Sequence, residues 1–565
     1  MNRASAAGIS RHISRARNAA ILASVALSCG SFAIAQNLAP GNIIVSRSVY
    51  SYNDAVKVGQ VLPPGCTGTT GGCAGAGGAV ANSAFPWVFN NDTYDGSFGI
   101  TSKILLDEYD VFGHPIETIE VPNSTQAGIT ATSDQLVTSF SSKSEEALHL
   151  SLDKNFITFM DYVAPVATLD VSNSNTPGEV DPTNPVGIPY YRAVATVDKT
   201  GAFTFTETNA YSGNNGRAAI YNNIGGNDFF YTAGNAGNGS NPQPDGVILG
   251  AGAQIIQHSS LPEYQQNPGT PTPVASFNIT ELPANTKSDK IGKDDNFRGI
   301  AVYNNVLYFT KGSGGNGINT VYFVDTTGTA CPNGVGVPAA GATLPTTPLS
   351  YTESKLQKSG LPSNMCVLSG FPTVLAKSTT APISYPFGLW FANDTTLYVA
   401  DEGDGYTGGS DFYTHAAAQT TAGLQKWIFN TNTKTWNLAY TLQTGLLLGV
   451  PSRPNPYLTT INPVTGLSWV PAADGLRNIT GLIGDGTYPE LPVGKVAIYG
   501  ITSTVSGNGD QGADPNRLMV VIDDIANTNP AVAAKESFYT VHDAGWMEVL
   551  RGVSLTPGSA NITTF

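Results

Sequence analysis

The chain of 565 residues carries 28 Lys and Arg against 42 Asp and Glu, a formal charge of −14, and only 12% of its residues are charged. An acidic balance of this kind is repelled by phosphate backbones and anionic lipid surfaces, which disfavours nucleic acid and membrane surfaces as partners. With 62 Gly, 36 Pro, 24 Tyr and 23 Phe, the composition is that of many short strands punctuated by turns, not of helices rich in Ala, Glu, Lys and Leu.

At the N-terminus, Arg3, Arg11, Arg15 and Arg17 form a positive region, and residues 19–27 form an apolar run. Ala33-Ile34-Ala35 supplies the small-x-small pattern that signal peptidase reads. The expectation is a signal peptide over residues 1–35, a mature start at Gln36, and secretion to the periplasm or the extracellular medium. The apolar run is far short of the ~20 residues that a membrane span needs. Cys29 in Leu-Ser-Cys-Gly offers a lipoprotein reading, but Ala26 stands where a larger aliphatic residue is usual. Cleavage leaves 24 Lys and Arg against 42 Asp and Glu, a balance of −18. It also leaves four cysteines, Cys66, Cys73, Cys331 and Cys366. In an exported chain an even count reads as disulfides, and Cys66–Cys73 with Cys331–Cys366 is the local pairing of the three available. Neither pair has a Cys-x-x-Cys spacing or a neighbouring His, so a zinc site is not expected.

From residue 36 onward one domain is expected, with disulfide-bearing inserts at 62–84 and 326–370. Residues 41–50 read as a β-branched strand, and 103–122 as a hairpin turning over 110–115 at Gly113. Residues 145–162 give strand, Asp-Lys-Asn turn and strand, followed by a second hairpin turning at Lys199-Thr200-Gly201. This unit of two hairpins, four strands, recurs. It returns at 216–234, with later strands near residues 253–258 and 274–279. It returns again at 297–312, where Asn304-Asn305 is the turn, with 318–325 as third strand and 372–378 as fourth. The next copies begin at 386–403 and near Asn478.

First strands therefore fall near Ala147, Ala218, Gly299, Gly388, Asn478 and Gly552. The last has no successors, while the N-terminal strands at Ile43 and after Lys103 number three and lack a first. A ring of four-stranded blades closes by letting one terminus supply the strand missing at the other. The expected fold is all-β: a β-propeller of six four-stranded blades, closed by a C-terminal inner strand on the N-terminal strands. Spacings of 70 to 90 residues imply long loops, in which a seventh blade would have to hide; a β-sandwich pair is the structural alternative.

The segment from Pro386 to Asp401 resembles the repeat of NHL-type and gluconolactonase-like propellers over one or two blades. More of the chain resembles a group of secreted bacterial propeller proteins without assigned function. The shared stretches are GNIIVSR, LLDEYD, YRAVATVD, YSGNNGRAAIY, PFGLWF with LYVADEG, and a closing LRGVSLTP. The resemblance implies fold and export, and carries no activity.

Aligned repeats place Glu146 (or Glu145), Arg217, Arg298, Phe387, Arg477 and Arg551 at the start of the six first strands, where they would ring one mouth of the central channel. Four Arg at equivalent positions in a chain so poor in cations suit bidentate binding of carboxylate or phosphate. The same Arg would alternatively brace the ring by pairing with acids nearby, of which Asp294, Asp295, Glu402, Asp474 and Glu548 are candidates. Asp401, Glu402 and Asp404 on a Gly-bent loop offer oxygens to Ca²⁺, though the 12-residue EF-hand spacing is absent, and ordinary polar loop chemistry is the competing reading.

His114, His149, His258, His415 and His542 are widely separated, without HExxH spacing. No GxSxG elbow, P-loop or dinucleotide fingerprint occurs in a suitable context. Trp390, Tyr398, Trp427 and Trp436 fit blade core better than a sugar platform. The favoured expectation is a non-catalytic, monomeric, exported propeller that binds a small anionic or polar ligand, or an extracellular protein, at the Arg-lined mouth. The alternative is a divalent-metal-assisted hydrolase or lactonase whose channel carboxylates, such as Glu146, hold the cation.

Overall fold

Among the described residues, twenty-six strands account for nearly all the regular structure. The computed structural model describes residues 37–60, 81–89, 99–129, 135–139, 146–177, 187–235, 252–258, 276–279, 296–312, 316–331, 333–346, 363–508 and 512–559. The N-terminal strands β1 (Ile43–Val49), β2 (Thr101–Tyr109) and β3 (Pro115–Glu120) form a meander, with β4 (Thr138–Ser139) paired to β2. Blade 2 runs β5 (His149–Leu150), β6 (Phe156–Tyr162), β7 (Arg192–Asp198), β8 (Phe203–Thr208). Blade 3 runs β9 (Gly216–Asn222), β10 (Phe229–Gly234), β11 (Ala253–Gln257), β12 (Ser276–Ile279). Blade 4 holds β13 (Ile300–Tyr303), β14 (Val306–Lys311), β15 (Thr320–Val324), the two-residue β16 (Val335–Gly336) and β17 (Ser363–Leu368). Blade 5 is β18 (Pro386–Asn393), β19 (Thr396–Asp401), β20 (Gly423–Asn430), β21 (Thr435–Leu442). Blade 6 is β22 (Ala472–Ile483), β23 (Lys495–Val505), β24 (Arg517–Asp524), β25 (Tyr539–Asp543).

The last strand, β26 (Glu548–Leu555), pairs antiparallel with β1, so blade 1 has the order β26-β1-β2-β3 and joins the two ends of the chain. The first strands touch in a closed cycle, β26 to β5, β9, β13, β18, β22 and back to β26. This is a six-bladed β-propeller, as the repeat count requires. Ring closure leaves no blade without its inner strand, the edge that would otherwise invite pairing with another chain.

Local sequence explains each hairpin. Asn304 (φ 48°) and Asn305 (φ 58°) both adopt the left-handed conformation that a two-residue turn with the right twist demands, and Tyr303 faces Val306 across it. Gly113 (φ 88°) turns the β2–β3 hairpin in the same way. One expected strand moves: residues 372–378 are not the fourth strand of blade 4. They begin at a proline that has no N–H to give a ladder and end in a short 3₁₀ turn at Ala376–Ser378. The outer strand is instead β17, paired to β15 through Tyr322–Val367 and Phe323–Cys366. The 326–370 insert therefore contains the outer strand itself. Cys366 on that strand is disulfide-bonded to Cys331, with Cα atoms 6.1 Å apart. Cys66 and Cys73 lie outside the described residues. On its far side β17 pairs in parallel with β12, which knits the outer edges of blades 3 and 4 together.

The core lies in the seams between blades. Ile44, Leu106 and Ile119 of blade 1 pack on Ile157, Phe159 and Val197 of blade 2, and Trp390, Tyr398 and Leu424 of blade 5 on Leu476, Ile498 and Met519 of blade 6. Each such side chain contributes about 1.5–3 kcal/mol on burial.

At the axis the inner strands meet backbone to backbone. A Cβ on Gly299 would overlap the carbonyl oxygen of Phe387, one on Gly388 would lie 2.7 Å from the Arg477 oxygen, and one on Gly552 would overlap the Glu146 oxygen. Two of these seams share one device. The Gly552 N–H donates to Ser46 Oγ (2.8 Å), which donates to the Glu146 carbonyl (3.0 Å). Likewise the Gly299 N–H donates to Thr310 Oγ1 (2.8 Å), which donates to the Phe387 carbonyl. Ser46 lies on β1 and Thr310 on β14, equivalent second strands. Thr310→Val should therefore strand a buried N–H and a buried carbonyl and lower stability by about 1–3 kcal/mol, against nearly nothing for Thr433→Val on an exposed turn. Urea denaturation of the two variants checks this, and equal midpoints would show that the relay adds nothing.

Candidate functional site

The six aligned side chains sit at one end of the inner-strand cycle, and all are buried, the four arginines with 3–5% of their surface exposed. Arg298 of blade 4 and Arg477 of blade 6 reach opposite oxygens of Glu402 from blade 5: Arg477 Nε to Oε2 is 3.4 Å and Arg298 Nε to Oε1 is 3.9 Å. The Arg298 guanidinium also stands 5.9 Å from the centre of the Phe387 ring, a cation–π distance. Arg551 of blade 1 faces Glu146 of blade 2, Nε to Oε2 3.7 Å, and donates to Ser48 Oγ at 2.9 Å. Arg217 of blade 3 ties across to blade 4 through Asn296 Oδ1 and the Phe297 carbonyl (2.7 Å).

A purely bracing arginine looks different in this fold. Arg192, completely buried in blade 2, donates to the carbonyls of Asn214 (3.0 Å), Tyr190 (2.8 Å) and Ser174 (2.8 Å), saturating a guanidinium on main-chain oxygens. Arg217 approaches that pattern, whereas Arg298, Arg477 and Arg551 also face carboxylates, at 3.9, 3.4 and 3.7 Å. Bidentate Arg–carboxylate pairs close to about 2.7–2.9 Å. Glu146 adopts the left-handed conformation (φ 61°), a backbone state that non-glycine residues take at a cost of ~1–3 kcal/mol, and it stands where its blade enters the ring.

A second row of acids stands behind Glu402. Asp401 accepts from Ser384 Oγ (2.7 Å), the Tyr385 N–H (2.9 Å) and Gln425 Nε2 (3.0 Å). Asp474 accepts from the Gly405 N–H (2.8 Å) and from Gln419 Nε2, and Asp514 from Ser506 Oγ (2.6 Å) and Tyr457 Oη. Burial pushes all three carboxyls up, Asp401 to about 6, Asp474 to about 7 and Asp514 to about 6; neutral donors oppose the rise, and Arg477 opposes it at Asp514.

The loop carrying Asp401, Glu402 and Asp404 does not gather its carboxylates. Asp401 turns inward to Ser384 and Gln425, Glu402 to the two arginines, and Asp404 to His415 Nε2 at 2.6 Å. Among the described residues, three metal-capable side chains come together only at Asp325, Cys331 and Cys366, where both cysteines are committed to the disulfide.

Beyond the charged ring the channel becomes apolar. A cavity of about 70 Å³ is lined from all six inner strands, by residues including Leu150, Ile220, Ala301, Trp390, Ile479 and Leu555. At ~30 Å³ per water it holds on the order of two waters. Burial lowers the His149 imidazole there to about 4, so it is neutral. This apolar section of the channel is too small for more than a few waters.

No family model and no curated protein matches the chain in sequence. Solved structures are similar in fold. One is a provisionally named 6-phosphogluconolactonase from Bacteroides uniformis, aligned over 88% of this chain and 82% of that one at 10% identity and a TM-score of 0.32. Another is PorZ, a surface component of the type-IX secretion system of Porphyromonas gingivalis, over 82% of this chain and 52% of that one at 12% identity and 0.25. A third is a one-component-system extracellular domain from B. thetaiotaomicron, over 77% and 47% at 9% identity and 0.21. At such identities and scores they assign this chain no activity.

Sequence reasoning named the six ring positions and Glu402 among the acids available to brace them, but not that Glu402 faces two arginines at once, and it read Asp514 as an ordinary loop acid. It also missed Ser46 and Thr310, although Ser46-Arg47 and Thr310-Lys311 carry the same hydroxyl–cation pair at one repeat position.

The sign of the pH dependence follows from the second row. Asp474 binds its proton more tightly folded (about 7) than at its ordinary 3.8, so its contribution favours the folded state at low pH and is lost as pH rises from about 4 to about 7. Melting temperature against pH should therefore fall less across that window in Asp474→Asn than in the parent chain; parallel profiles would refute the assignment.

Proposed function

We propose that this chain is an exported, non-catalytic β-propeller that binds a small anionic ligand, carrying carboxylate or phosphate groups, at the charged mouth of its channel. The observation that carries the reading is the gathering of four buried arginines from four blades at equivalent inner-strand positions, three of them facing Glu146 or Glu402. Buried cations need counter-charge, and charge-assisted bonds gain strength where water is excluded. An anion seated against Arg298, Arg477 and Arg551 would accept charge-assisted hydrogen bonds from guanidiniums of three blades.

The metal-assisted hydrolase reading has less support. A divalent cation among these guanidiniums would be repelled, and Glu146 already faces Arg551. Export is supported by the N-terminal pattern and by the disulfide, which persists in oxidising compartments. Among the described residues no helix is long and apolar enough to cross a membrane.

Thermal unfolding at constant ionic strength tests the proposal. Phosphate or succinate at a hundredfold excess over Kd adds about 2.7 kcal/mol, a rise of about 2 °C for a chain of this size. The gain should vanish in Arg298→Gln and shrink as pH rises from 5 to 8, because the second-row acids ionise across that range. Protection by neither anion, or equal protection in Arg298→Gln, would sink the proposal.

A further inference from the structure

The seam between blades 5 and 6 buries a second charged cluster, remote in role from the mouth. Lys426 on β20 and Asp523 on β24 have fully buried side chains, with Nζ 2.8 Å from Oδ2. The main-chain oxygens of Asp524 (2.6 Å) and Asn527 (2.9 Å) hold two of the amine's N–H groups and aim the remaining position at Asp523. Both carboxyl oxygens of Asp523 accept from phenols: Tyr398 Oη donates to Oδ2 and Tyr440 Oη to Oδ1 at 2.7 Å. The two rings flank the amine, with centres 5.7 and 5.3 Å from Nζ. Glu536 stands beside the same carboxyl, close enough to hydrogen-bond with it, and its Oε2 is buried.

These groups are the parts of an amide-forming centre: an amine, an electrophilic carboxyl polarised by two hydroxyl donors, and a second carboxyl to carry protons, with the amine and the electrophile fully buried. We propose that Lys426 and Asp523 condense spontaneously into an isopeptide bond that staples blade 5 to blade 6.

The ammonium passes one proton to the Asp523 carboxylate, giving a neutral amine and a neutral acid. The Nζ lone pair attacks Cγ, and Tyr398 and Tyr440 stabilise the oxyanion that forms. The protonated Glu536 gives its proton to the departing hydroxyl and takes one from Nζ in return, so that the Cγ–O bond breaks, the Nζ–Cγ amide remains and one water leaves. No oxidant or cofactor enters, and the paired charges cancel. Glu536 is suited to the relay because burial, reinforced by Asp523, pushes its carboxyl up to about 8, which keeps a proton on it at neutral pH. Both phenols are held well above their ordinary range by burial and by Asp523, so they remain donors. Lys426 and Asp523 lie 97 residues apart in the chain, and the bond would close that stretch covalently.

Intact-mass spectrometry of the denatured full chain tests the proposal directly. The expected mass is about 18 Da, one water, below that of the sequence after signal removal and disulfide formation. Tandem spectra of a tryptic digest should then place the loss in a branched peptide joining Lys426 to Asp523. Lys426→Arg, which keeps the charge, and Glu536→Gln should both lack the loss. A parent chain without the loss would overturn the proposal even if both variants failed to fold. A loss that persists in Lys426→Arg would overturn it equally.

Discussion

The fold depends on how closely six inner strands approach around one axis. Where Gly299, Gly388 and Gly552 stand, the next strand's backbone occupies the space a Cβ would need. Main-chain polar groups are thereby driven together with little room between them. Serine and threonine hydroxyls on the second strands bridge the gap, accepting from one blade's N–H and donating to the next blade's carbonyl. The residue just before each small one is held at the rim by that contact. Arg298 and Arg551, which precede Gly299 and Gly552, are brought to the ring in this way, and a change at the axis is felt across two blades at once.

Much of this was legible in the sequence. Period-two alternation and turn residues located the inner strands, and the mismatch between three strands at one end and a lone strand at the other required the closure that β26 makes with β1. What failed did so for physical reasons. The outer strand of blade 4 was misplaced because Ser363–Leu368 sits in a long insert, while 372–378 has apolar character but starts with proline. A fourth strand is fixed by what its neighbour offers, here β15, and not by its own pattern alone.

The site was legible as positions and opaque as partnerships. Arg298 and Arg477 are visible in a repeat alignment, but Glu402, Asp404 and Asp401 are almost adjacent in sequence and turn to entirely different partners. Adjacency suggested one cation site; alternation of side-chain direction at the end of β19 divides the three carboxylates among a blade interior, the ring and a loop histidine. The hydroxyl relays escaped notice because Ser and Thr in strands are common, and only contact geometry separates a bridging hydroxyl from an ordinary one. The Lys426 cluster is likewise invisible in sequence, since its members come from five strands and loops of two blades.

An acidic chain has thus concentrated cations where they are hardest to solvate. At the mouth three arginines face carboxylates from neighbouring blades, while in the seam between blades 5 and 6 the single lysine is matched at close range. The most direct test of the anion-binding account is crystallographic: soak crystals with selenate, a tetrahedral anion with an anomalous signal, and compute the anomalous difference map. The account predicts a peak within hydrogen-bond reach of Arg298 and Arg477. Selenate peaks confined to surface lysines, with the ring empty, would contradict it.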